Sequence, residues 1–208
     1  MKRPSFLFFD IGNVLLYFDH HRAAENLARV AGVTADDVWQ FAFASDLNNR
    51  CDAGEVSAAE FCRQFREHFA CHASDEVLCH AASDIFELNP SMTGIAARLQ
   101  RHGHRIGLLS NTSEIHIEWL LRSRSYSTVP FMFDVCVYSY RERLMKPDKN
   151  IFLRAAQQAG VAPHEVFYVD DIEGHVQGAR AAGFDAVVYT TPVAYVSELQ
   201  RRGISVGF

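Results

Sequence analysis

The sequence predicts an α/β fold, a doubly wound parallel sheet with a small inserted helical cap. Short apolar runs without polar alternation, such as residues 6–9, end on polar residues. Runs of this kind are typical of strands buried on both faces of a parallel sheet. From residue 89 onward such runs alternate with helical patterns, whereas residues 20–86 show helical patterns alone. With 208 residues, 49% of them hydrophobic, the chain can form a core and an inserted unit.

The first predicted strand, Phe6–Phe9, ends on a carboxylate, Asp10. A charge at the end of a buried strand is costly unless a metal, a cation or hydrogen bonds compensate it. Gly12 and Asn13 follow, and they allow a sharp turn whose N–H groups can surround an anion. Asp10 is therefore either a paired structural acid or a functional residue.

The predicted helices of the inserted segment have clear start and stop signals. Asp19 is a candidate N-cap of the first helix, and Gly32 is its candidate stop. Residues 34–37 and 57–60 have the form of capping boxes. The segment also carries an aromatic stripe that we predict to be helix-packing core: Trp39, Phe41, Phe43, Phe61, Phe65 and Phe69.

The second half of the chain alternates strands and helices, which predicts right-handed βαβ crossovers. The predicted strands cover residues 105–109, 133–138, 166–169 and 186–189, and the predicted helices cover 92–101, 150–159 and a segment ending at 182. Ligands bind at the carboxyl ends of strands in open α/β sheets. The polar residues at these ends are Asp10, Ser110, Asp170 and Asp171.

Composition excludes several classes of function. The net charge of −5 comes from 20 basic and 25 acidic residues without long runs, which argues against nucleic acid or an anionic membrane as a partner. The first apolar stretch is too short for a signal sequence and no segment is long enough to span a bilayer, so we expect a cytoplasmic protein. Five widely spaced cysteines without a CxxC pair predict reduced thiols rather than disulfides or a zinc site.

The polar strand ends suggest phosphate chemistry with Mg²⁺. Hard carboxylate oxygens, completed by water and a substrate phosphate, are typical ligands of Mg²⁺. Ser110, with the N–H of Asn111 or Thr112, could bind phosphate oxygens, and Lys146 could balance their charge. Asp10 would then be the nucleophile.

Four short segments resemble, in order, the motifs of the haloacid dehalogenase superfamily. They are Asp10-Ile-Gly-Asn-Val, Leu-Leu-Ser110-Asn-Thr, Lys146-Pro, and Val-Asp170-Asp171 followed by a helix and Ala-Gly183. The first motif is similar to the branch that contains bacterial glucose-1-phosphate phosphatase, and the fourth resembles the phosphatase domain of soluble epoxide hydrolases. The resemblance implies a Rossmann-like core of residues 1–16 and 87–208, with a helical cap of residues 17–86.

The resemblance also implies roles for individual residues. Asp10 would form a phosphoaspartate, and Ser110 and Lys146 would hold the phosphoryl group. Mg²⁺ would be bound by Asp10, the Gly12 carbonyl and Asp171, with Asp170 adjacent. Asn111 and Asn13 are candidates for substrate binding. Further candidates, all polar, are Asp19, His20, Asn48, Asn49 and Arg50.

Three departures from the family pattern bear on the chemistry. Relatives usually carry a second Asp, the general acid and base, where this chain has Gly12. General acid–base catalysis contributes about 10²–10⁴-fold, so esters with good leaving groups should be favoured unless His175, His20 or His21 substitutes. His175 itself stands where relatives have Asn or Asp, and Met145 replaces an Arg before the Lys-Pro pair.

Three hypotheses follow. The first is a Mg²⁺-dependent phosphatase of a small, sugar phosphate-like metabolite. The second is a 2-haloacid dehalogenase, in which the same Asp attacks carbon without a metal. The third is a catalytically impaired binding or regulatory protein, for which the absence of an acid at Gly12 is the sequence feature in favour. The physiological substrate and the oligomeric state stay open.

Overall fold

The computed structural model describes residues 3–206, which form seven strands and twelve α-helices. The strands are β1 (Phe6–Phe9), β2 (Leu16–Phe18), β3 (Phe86–Leu88), β4 (Ile106–Ser110), β5 (Val135–Tyr138), β6 (Val166–Asp170) and β7 (Asp185–Val188). The helices of the inserted segment are α1 (His20–Ala31), α2 (Ala35–Trp39), a π-helical turn (Gln40–Ala44), α3 (Leu47–Asp52), α4 (Ala58–Phe69) and α5 (Asp75–Ser83). The remaining helices are α6 (Pro90–Arg101), α7 (Glu114–Arg122), α8 (Thr128–Phe131), α9 (Ser139–Glu142), α10 (Lys149–Ala159), a 3₁₀ turn (Pro163–Glu165), α11 (Glu173–Ala181) and α12 (Pro192–Arg201).

Five strands form one parallel sheet in the order β5-β4-β1-β6-β7. The central strand β1 pairs with β4 on one side and with β6 on the other, so the chain order reverses at β1. This order places the carboxyl ends of β1, β4 and β6 side by side at one edge. The predicted doubly wound α/β fold is therefore confirmed.

Each face of this sheet is covered by its own apolar layer because side chains alternate along a strand. Leu7 and Phe9 point into the layer that includes α6, α7 and α12. Phe6 and Phe8 point into the opposite layer, which includes α10 and α11. All four residues of β1 are buried, as expected for a strand whose apolar run lacks alternation.

The inserted segment begins with β2 and ends with β3, and these two strands pair as a small antiparallel sheet. Helices alone lie between them in the chain. The predicted caps are present: the Asp19 side chain accepts from the His21 N–H, Thr34 and Asp37 form a capping box, and Gly32 has a left-handed φ of 71°. The helices share a separate apolar core with buried Phe61 and Phe65. The rest of the predicted aromatic stripe, Trp39, Phe41, Phe43 and Phe69, packs against that core.

Local patterns did not predict α7, α8 or α12. Thr191 caps α12 and Pro192 occupies its first turn, so the start signals of this helix were present in the sequence. Strand β4 is shifted by one residue from its predicted range and β6 is one residue longer than predicted, so Ser110 and Asp170 are the last residues of β4 and β6. Among residues 3–206, no helix is long and apolar enough to cross a membrane.

Candidate active site

Asp10 lies directly beyond the carboxyl end of β1 and is only 6% exposed. Its N–H donates to the carbonyl of Val169 in the neighbouring strand at 3.0 Å, which fixes its backbone. Its Oδ1 accepts from the Ile11 N–H at 2.8 Å. The chain then turns back through Asn13, whose φ of 53° lies in the left-handed region that Asn tolerates better than most residues.

Lys146 is the cation of the site. Its ammonium group is buried and lies 3.0 Å from Asp10 Oδ1 and 2.6 Å from Asp170 Oδ2. It also donates to the Tyr168 hydroxyl at 2.9 Å. Asn111 fixes the Lys146 backbone, since Asn111 Nδ2 donates to the Lys146 carbonyl and Asn111 Oδ1 accepts from the Lys146 N–H. The chain around the ammonium group is thus clamped to the loop after β4.

Asp170 is fully buried, and both of its oxygens are engaged. Oδ2 accepts from Lys146 and from the Tyr168 hydroxyl. Oδ1 accepts from the Ile172 N–H at 2.8 Å, and His175 Nδ1 lies 3.1 Å from Oδ2. Because a carboxylate has about four acceptor positions, Asp170 has little capacity left for a further ligand. Its contacts hold Lys146 and His175 in place.

Burial and the shared ammonium group set the charges of this cluster. Burial raises the pKa of the Asp10 carboxyl to about 6, against the opposing effect of Lys146. Burial also acts to raise the pKa of Asp170, but Lys146 and His175 together hold that pKa well below its ordinary value. Burial would lower the pKa of Lys146, yet Asp10 and Asp170 raise it, so the ammonium group stays charged. The site therefore contains a fixed buried cation beside two carboxyl groups.

A second carboxylate faces Asp10 across the strand ends. Asp171 Oδ2 accepts from Asn13 Nδ2 at 3.0 Å, so the turn after β1 orients Asp171. Carboxylate oxygens of Asp10, Asp170 and Asp171 all lie within 4.8 Å of one another. Asp10 and Asp171 at this spacing fit Mg²⁺, which prefers carboxylate and water oxygens, whereas the oxygens of Asp170 are already engaged. Gly12 keeps the main-chain carbonyl that the sequence analysis assigned to the metal.

Ser110 is buried at the carboxyl end of β4, and its hydroxyl helps to lower the pKa of Asp10. Of the two N–H groups expected to bind phosphate, that of Thr112 already donates to Ser139 Oγ at 2.9 Å. Only the N–H of Asn111 therefore remains a candidate from that pair. Sequence patterns could not predict this, because Ser139 lies at the start of α9, beyond the next strand.

Helix α3 of the inserted segment rests on the same edge of the sheet. Ser139 Oγ donates to the Asp52 carbonyl at 2.6 Å, which links α3 to the Ser139–Thr112 contact. A Cβ atom built on Gly54 would lie 2.2 Å from the Tyr140 carbonyl oxygen, so a side chain cannot fit there. The inserted segment is thereby held tightly against the loops that follow β4 and β5.

Several sequence candidates have partners outside the cluster. Asn48 Nδ2 lies 3.4 Å from Asp52 Oδ2, and Asn49 Nδ2 donates to Asp46 Oδ1. Arg50 pairs with Glu55, and Asp19 caps α1. Tyr168 was not predicted from the sequence, although its position two residues before Asp170 on one strand puts both side chains on the same face.

The sequence of this chain is similar to those of known hydrolases. A model of the family described as haloacid dehalogenase-like hydrolase matches residues 6–183. The chain is 25% identical over 191 residues to phosphatase MT3486 of Mycobacterium tuberculosis, covering 88% of this chain and 85% of that protein. It is 24% identical over 181 residues to D-ribitol-5-phosphate phosphatase of Bacteroides thetaiotaomicron, covering 85% and 87%. Another relative, mouse acyl-CoA dehydrogenase family member 10, is far longer, and the chain spans 10% of it.

A solved structure shares the whole architecture. It is the crystal structure of HAD family enzyme BT-2542 from Bacteroides thetaiotaomicron in complex with magnesium and inorganic phosphate. The TM-score is 0.77 at 25% sequence identity, and the match covers 90% of this chain and 94% of that chain.

Proposed function

Because this chain belongs to the haloacid dehalogenase-like hydrolase family, we propose that it is a Mg²⁺-dependent phosphatase acting on a small phosphorylated metabolite through a phosphoaspartate at Asp10. One observation carries the proposal. The Asp10 carboxylate lies at the carboxyl end of the central strand, 3.0 Å from a buried ammonium group and within 4.8 Å of two further carboxylates. Such a centre can accept a phosphate dianion and a divalent cation together.

Asp10, Asp171 and the Gly12 carbonyl would hold the Mg²⁺ ion. The fully engaged oxygens of Asp170 favour a positioning role for that residue, in which it fixes Lys146 and His175. When bound, Mg²⁺ supplies positive charge that neutralises the phosphate oxygens. The magnesium and phosphate bound in the similar B. thetaiotaomicron enzyme support this assignment.

The residues of this chain would carry out a two-step displacement. In the first step an Asp10 oxygen attacks phosphorus, the new O–P bond forms, and the bond from phosphorus to the leaving oxygen breaks. Lys146, Ser110 and the Asn111 N–H would bind the phosphoryl oxygens. In the second step water attacks phosphorus, which releases inorganic phosphate and restores the Asp10 carboxylate. Asn13 and Asn111 would position Asp171 and Lys146, as their hydrogen bonds suggest.

We assign residues 17–86 to a helical cap over this centre, and residues 1–16 and 87–208 to the core. The separate apolar core of the inserted helices and the contact from Ser139 to Asp52 support this division. A cap of this kind would shape the pocket for the leaving group. The relative named D-ribitol-5-phosphate phosphatase supports a sugar or polyol phosphate as the substrate class.

The test is release of phosphate or halide from a panel of phosphate esters and 2-haloacids, with and without Mg²⁺. We expect phosphate release that needs Mg²⁺ and is lost in the Asp10→Asn variant, since an amide is neither a competent nucleophile nor an anionic ligand. The control is Asp148→Asn, which alters the N-cap of α10 outside the cluster. Halide release without metal would indicate the dehalogenase instead, and no turnover of either class would indicate the binding protein.

A further inference from the structure

The position of the missing acid is filled by another side chain. A Cβ atom built on Gly12 would lie 2.8 Å from Cε1 of the Phe18 ring, closer than ordinary contacts allow. Phe18, the last residue of β2, therefore occupies the space that a carboxylate at position 12 would need. The group that lies beside position 12 is thus a phenyl ring, which can neither donate nor accept a proton.

The next group beyond this ring is an imidazole. His20, the first residue of α1, lies 4.9 Å from the Phe18 ring centroid and 4.9 Å from that of Phe43, with an interplanar angle of 24° to the latter. It therefore packs against two phenyl rings and is half-buried. Among residues 3–206, neither ring nitrogen of His20 has a hydrogen-bond partner, and neither is sealed from water. The packing fixes the ring and leaves its nitrogens available.

We propose that His20 takes over the proton transfers that the absent carboxylate at position 12 would perform, an inference that rests on the proposed phosphatase function. In the first step the imidazolium gives its proton to the leaving oxygen as that oxygen separates from phosphorus, and the product is a neutral alcohol. In the second step the neutral imidazole removes a proton from the attacking water. Inorganic phosphate leaves, and the imidazolium and the Asp10 carboxylate are restored, so charges and protons balance over the cycle.

The surroundings of His20 set the pH range of this role. Burial lowers the pKa of its imidazole, Asp19 acts in the opposite direction, and His21 lowers that pKa further. His116 of α7 also faces it, and burial lowers the pKa of His116 to about 3, which leaves that ring neutral. The other neighbours, Phe18 and Phe43, are uncharged. The pKa of His20 therefore lies below that of an ordinary histidine. The protonated ring, which can donate a proton, is lost as pH rises through this lowered pKa.

Other titratable groups fit this role less well. His175 Nδ1 is tied to the Asp170 carboxylate, on the side of the cluster that holds Lys146. Asp52 is half-buried, but its carboxylate contacts Asn48 and its carbonyl accepts from Ser139, so α3 holds it against the core. His20 alone among these three lies against the ring that fills the place of the acid.

The test compares two leaving groups in variants of the full-length chain. Wild type, His20→Gln and His20→Phe are assayed with Mg²⁺ on a primary-alkyl phosphate and on an aryl phosphate. Because an alkoxide needs the proton far more than a phenolate, both variants should lose about 10²–10⁴-fold in kcat/KM on the alkyl ester and only a few-fold on the aryl ester. His68→Gln, at another imidazole that packs against a phenyl ring of the inserted segment, should leave both values unchanged.

A pH profile separates catalysis from packing. Wild-type kcat/KM on the alkyl ester should fall as pH rises above the His20 pKa, and this dependence should vanish in both variants. Full alkyl activity in His20→Phe would show that stacking alone matters and would overturn the proposal. Equal losses on both esters, or a selective alkyl loss in Asp52→Asn instead, would also overturn it. A wild-type protein that hydrolyses neither ester would contradict the phosphatase proposal itself.

Discussion

At the scale of single residues, the turn after β1 sets which side chains surround Asp10. Asp10, Ser110, Lys146 and Asp171 were candidates because each stands in a short local pattern at a strand end or loop. The contact of Phe18 with position 12 depends on how the chain turns after β1, and no local pattern encodes that turn. The bond from Asn13 to Asp171 joins residues 158 positions apart, so no local pattern could predict it either.

The Phe18 contact changes what a restored acid can do. A carboxylate introduced by Gly12→Asp would collide with the Phe18 ring, and overpacking of this kind costs about 1–3 kcal/mol. We therefore expect the single variant to be less stable in urea unfolding and to gain no activity on alkyl phosphates.

The double variant Gly12→Asp, Phe18→Ala is the control for that prediction. Removing the ring should recover most of the stability lost through Gly12→Asp, with a coupling of about 0.5–3 kcal/mol in the double-mutant cycle. Alkyl phosphatase activity should exceed that of Phe18→Ala alone. Strictly additive effects on stability would show that the two positions do not compete for one space.

At the scale of secondary-structure elements, periodic apolar patterns and capping residues predicted the first helices of the inserted segment. Asp19, Thr34 and Gly32 fixed the boundaries of α1 and α2, because capping depends on neighbouring residues alone. Helix α7 was missed, although its Ile115 packs against the core of the inserted helices. Its burial depends on two distant parts of the chain, and sequence periodicity does not record such contacts.

Helix α3 ends at Asp52, whose burial makes the free energy of unfolding depend on pH. Burial raises the pKa of the Asp52 carboxyl to about 7, so the folded protein keeps a proton that the unfolded chain releases at lower pH. Between the ordinary pKa of Asp and pH 7 the unfolded state binds fewer protons, and stability falls as pH rises. The slope is at most about 1.4 kcal/mol per pH unit.

Asp52→Asn removes this titration. We expect the variant to gain stability over wild type as pH rises from 4 to 7, with the gain levelling off above pH 7, in urea unfolding at each pH. Asp46→Asn, the same change of side chain at an exposed position next to α3, is the matched control. A constant difference between Asp52→Asn and wild type would show that Asp52 titrates alike in both states.

At the scale of the whole molecule, the order of the strands in the sheet decides which polar residues meet. The crossover rule and the polar strand ends predicted that Asp10, Ser110 and Asp170 meet at one edge, and the order β5-β4-β1-β6-β7 brings them together. How the inserted helices rest on that edge could not be predicted, since it depends on contacts such as Ser139 with Asp52 and Gly54 with Tyr140.

The most direct test of the account is to trap the covalent intermediate. Wild-type protein is mixed with Mg²⁺ and an aryl phosphate, quenched in acid within one turnover, and analysed by peptide mass spectrometry. We expect a phosphoryl group on the peptide that contains Asp10, which disappears when turnover continues and is absent from Asp10→Asn. Release of the phenol within one turnover, with no phosphoryl group on Asp10 at any time, would contradict the account.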